Sequence, residues 1–326
     1  KQPKPFSPQS SILALISSGD KYAVASRGAF TFAGKALWIW KDWIDRRFIE
    51  KFSDLPKMKE GEAPGVNQAL TNPETLKEIS AIAMRCGGCG AKVGAGVLTR
   101  ALSELKPAPR NDIIIGLHDP DDAAVVEVPI GKVIVHTVDY FRSFIDDPYV
   151  FGKIAANHSL SDIFAMGGEA QSALAIATVP YGTEAQVEAT LNQMMAGAME
   201  MLNDANAALV GGHTSEGAEL ALGFSVNGLA DKDKILRKSG LVPGNVLILT
   251  KALGTGTLFA ADMQQKARGR WIDSALDSMI LSNKLSAECL FRHGATACTD
   301  VTGFGMLGHM VEMIRPSGVD VEIQMS

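Results

Sequence analysis

What this sequence lacks argues against three classes of protein. Four cysteines in 326 residues do not make a disulfide framework, and they suit the reducing cytoplasm. No apolar run reaches the roughly 18–20 residues that a membrane-spanning helix needs, and no secretory signal is present. The net charge of −5 gives no electrostatic reason to expect nucleic acid as a partner. We therefore expect a cytoplasmic globular protein that does not bind nucleic acid.

The usual nucleotide-binding motifs are missing or misplaced. No G-x-x-x-x-G-K-[ST] segment occurs, so the chain is not a P-loop enzyme. Residues 303–308 spell G-x-G-x-x-G between a predicted strand and a predicted helix. We reject a dinucleotide-binding loop there, because no β-α-β unit is completed and no suitable acid follows. These glycines are expected to let the helix pack closely while Asp300 reaches a functional site.

The composition divides the chain into parts. Residues 1–56 contain three of the four tryptophans, and 57–73 form a polar linker without periodicity. Beyond the linker, apolar runs alternate with longer helical patterns, which predicts an α/β (α+β) fold. A Pro-Gly break at residues 243–244 predicts two parts, 74–240 and 241–326. The chain does not begin with Met and ends just after a predicted strand, so we expect it to be a piece of a longer protein.

The periodicity of apolar residues predicts individual helices and strands. The predicted helices span residues 74–84, 92–105, 147–166, 184–205, 271–292 and 304–315. The predicted strands span 112–116, 123–128, 131–138, 171–179, 207–211, 219–229, 245–250, 295–299 and 319–324.

A turn rich in glycine and cysteine precedes the predicted helix 92–105. Cys86 and Cys89 have the C-x-x-C spacing of redox motifs and of half a zinc site. The other two cysteines are not spaced as a second such pair, which weakens a four-cysteine zinc site. We favour a single reactive thiolate at Cys89, because Arg85 and Lys92 supply positive charge and the next helix supplies its N-terminus. An inert thiol in a loop is the alternative.

Acidic residues stand near the ends of several predicted elements. Asp121 and Asp122 precede a strand, and Asp139 ends the apolar run of the next one. Paired acids before a strand are often only solvated turn residues. Asp162 lies in an apolar helix, where an acid is costly to bury unless it is paired or metal-bound. The alternative there is a simple ion pair with His158, four residues earlier on the same helix face.

One further turn completes the pattern. Residues 211–215 (Gly-Gly-His-Thr-Ser) follow an apolar strand and could present backbone N–H groups and hydroxyls to an anion. A thiol, a cation and dispersed carboxylates fit together if the substrate is a Mg²⁺-bound polyphosphate and the acceptor is a soft nucleophile. The residues therefore predict phosphoryl transfer.

Six motifs follow one another in the chain. They are residues 89–92 (Cys-Gly-Ala-Lys), 121–125 (Asp-Asp-Ala-Ala-Val), 137–141 (Thr-Val-Asp-Tyr-Phe), 160–168 (Leu-Ser-Asp-Ile-Phe-Ala-Met-Gly-Gly), 211–214 (Gly-Gly-His-Thr) and 299–305 (Thr-Asp-Val-Thr-Gly-Phe-Gly). In this order they resemble the selenophosphate synthetase (selenide, water dikinase) family, over roughly residues 80–326. The resemblance implies the fold of aminoimidazole ribonucleotide synthetase. In that fold the N-terminal domain pairs into a dimer barrel, so a homodimer is expected. The implied reaction converts selenide, ATP and water into selenophosphate, AMP and phosphate.

The resemblance also implies a role for each matching residue. Cys89 would be the catalytic thiol, and Lys92 would contact the ATP phosphates and assist transfer. The implied Mg²⁺ ligands are Asp122, Asp162 and Asp300, with Asp139 beside them. The implied nucleotide-binding residues are Asp119, Pro120, Asp121, Gly212, His213 and Thr214.

The chain departs from the family pattern in three places. Ala91 stands where many members have a second cysteine, which argues against an obligatory dithiol. His158 stands where Asn is expected, which puts a substrate role of that position in doubt. The later family segment Asp-Pro-Gln-Thr-Ser-Gly-Gly has no counterpart, so part of the second domain is expected to be absent.

Residues 6–56 resemble the C-terminal end of an NADH dehydrogenase-like flavoprotein, through residues 6–9, 19–20 and 41–48. The chain would then be the junction of a fusion, with FAD and NAD(P)H bound only by an upstream part that is missing. The aromatic stretch 37–49 could lie on a membrane surface, but docking on that upstream part is the preferred interpretation. For the whole chain, the alternatives are another ATP-using enzyme of the same fold or a non-enzymatic C-x-x-C metal-binding module.

Overall fold

The computed structural model describes residues 13–19, 21–53, 92–118 and 121–324. The chain divides into two compact units, residues 1–71 and 72–326. Several predicted features lie outside the described residues, namely helix 74–84, Cys86, Cys89, Asp119 and Pro120. The predicted domain boundaries stay predictions.

The first unit is a three-stranded antiparallel sheet followed by a helix. Its elements are β1 (Ala14–Gly19), β2 (Tyr22–Arg27), β3 (Phe30–Gly34) and α1 (Lys35–Ser53). Helix α1 packs mainly on the central strand β2, where Ala23 and Ala25 are buried and their small side chains allow a close approach. Trp40 and Trp43 of α1 remain exposed. In the described part of the chain, no helix is both long and apolar enough to cross a membrane.

The second unit alternates strands and helices and ends in a helical segment. Its main elements are α2 (Ala95–Leu102), β4 (Ile113–Ile115), β5 (Val125–Val126), β6 (Lys132–Arg142), α3 (Pro148–Ala165), β7 (Glu169–Pro180), α4 (Glu184–Asp204), β8 (Ala208–Gly217), β9 (Ala221–Asp231), α5 (Thr255–Met263), α6 (Gly269–Ile280), α7 (Lys284–Arg292) and α8 (Gly305–Ser317). The helices and strands predicted from residue 92 to residue 229 are therefore present, with most ends shifted by a few residues.

A mixed four-stranded sheet forms the centre of this unit, in the order β6-β9-β7-β8. Strand β9 runs antiparallel to both β6 and β7, whereas β7 and β8 are parallel and are joined through α4. Helices α3 and α4 cover one face. The core between them and the sheet includes Phe151, Leu160, Leu191 and Phe224, each at most 1% exposed.

Local sequence explains where the two core helices begin and how closely they pack. The carboxylate of Asp147 accepts the N–H groups of Tyr149 and Val150, and Pro148 occupies the first turn of α3. Where the helices cross, a Cβ on Gly152 would lie 1.9 Å from the carbonyl oxygen of Met194. Only glycine fits there.

Hydrogen bonds from Gln171 attach the small β4–β5 hairpin to the large sheet. The Arg110 guanidinium binds both carboxylate oxygens of Asp112, at 2.8 and 2.7 Å. The buried Gln171 of β7 donates to Asp112 Oδ2 at 2.8 Å and to the Glu127 carbonyl at 2.7 Å. The hydrogen bond from Arg110 lowers the pKa of Asp112. This network fixes both ends of the segment that carries Asp121 and Asp122.

Four predictions for the last part of the chain are wrong. Residues 245–250, 295–299 and 319–324 are not strands, because none of them has a hydrogen-bonded strand neighbour among the described residues. The predicted helix 271–292 is two helices, α6 and α7. At the break, the Asn157 amide donates to the carbonyls of Met279 and Leu281, at 2.8 and 3.0 Å, and so satisfies carbonyl groups that the end of α6 leaves free.

Candidate functional site

Two of the predicted acids face each other across the contact between strand β6 and helix α3. On β6, Thr137 and Asp139 point to the helix side of the sheet. The Thr137 hydroxyl donates to Asp162 Oδ2 at 2.5 Å, and His158 Nε2 lies 3.8 Å from Asp139 Oδ1. The ion-pair partner of His158 is therefore Asp139 rather than Asp162.

Asp300 joins these two carboxylates from the loop before α8. Burial raises the pKa of Asp300, and the nearby charge of Asp162 raises it further. Burial likewise raises the pKa of Asp139, while His158 lowers it and the charges of Asp162 and Asp300 raise it. The three acids thus lie close enough to repel one another, although Asp139 and Asp300 are 161 residues apart in the sequence. We call Asp139, Asp162 and Asp300 the acid cluster.

Two polar side chains, Ser161 and Asn283, support Asp300 from the side of α3. Ser161 is buried, and hydrogen bonding by its side chain lowers the pKa of Asp300. The same Ser161 oxygen accepts the side-chain amide of Asn283 at 2.9 Å. The break between α6 and α7 therefore contributes to the site through Asn283.

The acid cluster offers carboxylate ligands to a cation, but it is not a complete metal-binding site. Within the described ranges, no three His, Cys, Asp or Glu side chains converge as metal ligands. Mg²⁺ is usually held by one or two carboxylates together with substrate phosphates, so Asp162 and Asp300 are sufficient protein ligands of that kind. Their mutual repulsion is what a bound cation would relieve. The third predicted ligand, Asp122, is exposed, and its backbone N–H donates to Asp121 Oδ1 at 2.7 Å.

Lys92 lies in a different part of the unit. It lines a cleft of about 250 Å³ between the start of α2, the start of α4 and the end of β8, with Glu184 and Glu216 also in the lining. None of the three acids of the cluster lines this cleft. Lys92 and the acid cluster therefore do not share this cleft.

The prediction that residues 211–215 form an anion-binding turn is wrong. Gly212, His213 and Thr214 lie inside strand β8 and pair with residues 175–177 of β7. The double glycine suggested a turn, but it serves close strand pairing, since a Cβ on Gly212 would lie 2.2 Å from the Ala175 carbonyl oxygen. His213 is exposed at this edge.

The strand register relates these residues to the acid cluster. Asp139 pairs with Phe224, Phe224 with Ala175, and Ala175 with Gly212. Three strand spacings therefore separate Gly212 from Asp139, a distance of about 14 Å. The predicted nucleotide-binding residues of β8 and the acid cluster lie on opposite edges of one sheet.

Sequence reasoning missed several polar residues that support the acids. Thr137 and Ser161 lie within the quoted motifs, and their spacing from Asp139 and Asp162 could have pointed to them. Asn283 carries no local signal of a role, because it reaches Ser161 only through the packing of a distant helix. His309 lies seven residues after Thr302, directly after the glycine segment 303–308, and this closeness in sequence could have pointed to it.

Comparison with known proteins assigns the family. The N-terminal domain model of AIR synthase related proteins matches residues 120–230, and the C-terminal domain model matches 242–326. A selenide, water dikinase from Nitratidesulfovibrio vulgaris (strain DP4) is 39% identical over 252 residues, covering 74% of this chain and 69% of the relative. One from Geobacter metallireducens is 41% identical over 242 residues, covering 74% and 70%. The chain belongs to the selenide, water dikinase family. The predicted family and enzyme class are confirmed.

Solved structures confirm the predicted fold class. Thiamine-monophosphate kinase from Stenotrophomonas maltophilia K279a is similar with a TM-score of 0.56 and 21% identity, over 68% of this chain and 70% of that one. Hydrogenase maturation protein HypE in complex with ATP is similar with a TM-score of 0.54 and 18% identity, over 68% and 65%. At these identities the likeness concerns the fold alone, which is that of AIR synthase.

Proposed function

We propose that this chain catalyses the ATP-dependent synthesis of selenophosphate from selenide, with release of AMP and phosphate. The main support for this proposal is that Asp139, Asp162 and Asp300 lie close together in a chain of the selenide, water dikinase family. Formation of these products breaks two P–O bonds of ATP, so that one phosphoryl group ends on selenium and the other on the oxygen of water.

The acid cluster would bind the polyphosphate of ATP through Mg²⁺. Asp162 and Asp300 would be the main ligands, and Asp122 would complete the set. When bound, Mg²⁺ supplies neutralising charge to the phosphate oxygens. Asp139 would stay beside the ligands, with His158 limiting the accumulated negative charge.

Lys92 and Cys89 would act on the reacting groups. Lys92 is an exposed cation three residues before the start of α2 and would contact the phosphates as a point charge. Cys89 lies three residues earlier in the chain and would deliver or orient selenium as a soft thiolate. Asp119, Pro120, Asp121 and the β8 residues Gly212, His213 and Thr214 would line the nucleotide.

We also propose that the chain is a homodimer, paired through the sheet face opposite to α3 and α4. Val138 and Tyr140 point to that face and are 60% and 47% exposed, and Leu174 lies in the same cross-strand row as Val138. An apolar face of this kind is normally covered. Tyr140→Asp should then yield a monomer in light scattering, whereas an unchanged dimer would argue against pairing through this face.

The proposed flavoprotein part is a separate hypothesis. FAD and NAD(P)H would bind to a part that precedes residues 1–56, and helix α1 would dock on it. The exposed Trp40 and Trp43 support this docking, as they offer apolar surface for a partner.

The reaction is tested by AMP release under anaerobic conditions with ATP, Mg²⁺ and selenide. Asp300→Asn should lower selenide-dependent AMP formation by at least 100-fold, as expected for loss of a group that stabilises transferring phosphate. Asp320→Asn is the matched control, since Asp320 is exposed beyond α8. AMP formation that Asp300→Asn leaves intact would contradict the proposed role of the acid cluster.

A further inference from the structure

The loop that carries Asp300 needs support from outside itself. Residues 297–302 belong to no helix or strand. Hydrogen bonding by Ser161 lowers the pKa of Asp300, and the Cys298 N–H at the start of the loop donates to the Arg237 carbonyl at 3.2 Å. A carboxylate that must meet Mg²⁺ and phosphate in fixed geometry is normally held by further hydrogen bonds around it.

His309 supplies a further point of support, from helix α8, and it acts on the part of the loop that follows Asp300. The side chain is buried, with the whole residue only 4% exposed. Its Nε2 atom lies 3.0 Å from the backbone nitrogen of Thr302 and 3.2 Å from the Thr302 hydroxyl. Its Nδ1 atom lies 3.2 Å from Glu312 Oε2.

These contacts determine where the imidazole proton is. The Thr302 backbone N–H can only donate, so Nε2 must accept and cannot carry a proton. The ring proton is then on Nδ1 and points to the Glu312 carboxylate. Glu312 is held in turn by Lys238, whose Nζ lies 2.5 Å from Oε2. The hydrogen bond from Lys238 lowers the pKa of Glu312, so this acceptor stays ionised.

We propose that His309 is a positioning residue, which holds the Thr302 backbone and thereby fixes the Asp300 carboxylate for binding Mg²⁺ and ATP. The inference rests on the proposed function, because it assigns Asp300 to that binding. His309 itself touches neither substrate nor metal. Its Nε2 lone pair is the atom that matters, and its Nδ1 proton only orients the ring.

Two substitutions separate the two ring nitrogens. His309→Gln can place an amide oxygen near the position of Nε2 and accept from Thr302. His309→Asn is shorter, so it can donate to Glu312 in place of Nδ1 but cannot reach Thr302. A purely structural role through Glu312 and Lys238 would favour the Asn variant, whereas the positioning role favours the Gln variant.

The primary readout is Mn²⁺ binding in the presence of ATP, followed by electron paramagnetic resonance without selenide. We expect His309→Asn to weaken Mn²⁺ binding on the order of tenfold, which corresponds to one lost hydrogen bond. His309→Gln should stay within about threefold of wild type on the same scale. The exchange rate of the Thr302 amide proton should rise in the Asn variant only.

Each outcome decides the inference. Equal Mn²⁺ affinity in His309→Asn and wild type would overturn it, as would equal losses in the Asn and Gln variants. Urea unfolding of both variants shows whether either loss reflects global destabilisation, and a loss of Mn²⁺ binding that only follows unfolding also overturns it. The proposed function fails separately if wild type makes no AMP from ATP and selenide, since Mn²⁺ binding and amide exchange need no turnover.

Discussion

His158 Nε2 lies 3.8 Å from Asp139 Oδ1, so that an imidazole faces a carboxylate inside the acid cluster. The positive charge of His158 lowers the pKa of Asp139, against burial and against the charges of Asp162 and Asp300. His158 is also the position where the family pattern led us to expect Asn. The pair gives this chain a partial counter-charge that Asn would not supply.

Replacing this histidine should therefore shift the pH dependence of activity. In His158→Asn the pKa of Asp139 rises, so the carboxylate stays protonated to a higher pH. We expect the acidic limb of the rate of AMP formation to move to higher pH, with the rate at alkaline pH nearly unchanged. His293→Asn is the control, since His293 is exposed after α7. An acidic limb at the same pH in both variants would contradict the assignment of His158 as the counter-charge.

The acid cluster should cost stability when no metal is bound. The pKa values of Asp139 and Asp300 are raised above the ordinary value of 3.8, so the folded state binds more protons than the unfolded state above that value. Stability contributed by these groups is therefore present at low pH and is lost as pH rises through their folded pKa values.

Because these groups destabilise the protein as the pH rises, replacing one of the acids by a neutral residue should increase the free energy of unfolding at high pH. Without Mg²⁺, Asp139→Asn and Asp300→Asn should each raise the free energy of unfolding at pH 8 by about 0.5–2 kcal/mol, with a smaller gain at pH 5. Urea unfolding at the two pH values measures the difference. A gain that is the same at both values, or a loss, would show that the acids do not repel one another as described.

The crossing of α3 and α4 should tolerate no side chain at its closest point. Gly152→Ala would place a Cβ 1.9 Å from the Met194 carbonyl oxygen, and we expect a loss of about 3 kcal/mol because the helices must separate. Gly96→Ala on α2 meets no atom closer than 3.4 Å and should stabilise by about 0.5–1 kcal/mol. Urea unfolding checks both, and equal effects would refute the close crossing.

Ser161 should matter more for the binding of Mn²⁺ than for the stability of the fold. Ser161→Ala removes the side-chain hydroxyl that lowers the pKa of Asp300, so the pKa of Asp300 should rise. Mn²⁺ affinity in the presence of ATP should fall on the order of tenfold. Ser159→Ala is a matched control on the same helix, because the buried Ser159 hydroxyl donates to the Ala155 carbonyl within α3. Equal losses of Mn²⁺ affinity in the two variants would contradict the assignment of Ser161 as a support of Asp300.

The sequence predicted the elements that carry their own boundary signals. Helix α3 was placed within about one residue at each end, because Asp147-Pro148 starts it and Gly167 follows its end. Strand β8 was ended too early, because the sequence of Gly211-Gly212 is typical of a turn and only the parallel neighbour β7 reveals a strand. The three missing strands near the C-terminus have β-type sequences, but strand formation depends on a neighbour that local sequence cannot specify.

The candidate site was predicted mainly through the family resemblance. Spacing alone could not show that Asp139, Asp162 and Asp300 meet, since they lie on a strand, a helix and a loop that only the tertiary fold brings together. The relation of Lys92 and Gly212 to these acids likewise depends on the sheet order, which no local pattern encodes. Asn283 was missed because it reaches Ser161 from 122 residues away, whereas the contact between His309 and Thr302 is local in sequence and was missed because no motif assigns it a role.

The central claim is tested most directly by anaerobic phosphorus NMR of the chain with ATP, Mg²⁺ and selenide. Wild type and the control Cys289→Ser should both give AMP, phosphate and a selenophosphate signal, and Cys89→Ser should give no selenophosphate. Cys289 is exposed on α7 and is not assigned to the site. ADP as the sole nucleotide product, or selenophosphate formed equally well by the Cys89→Ser variant, would contradict the account.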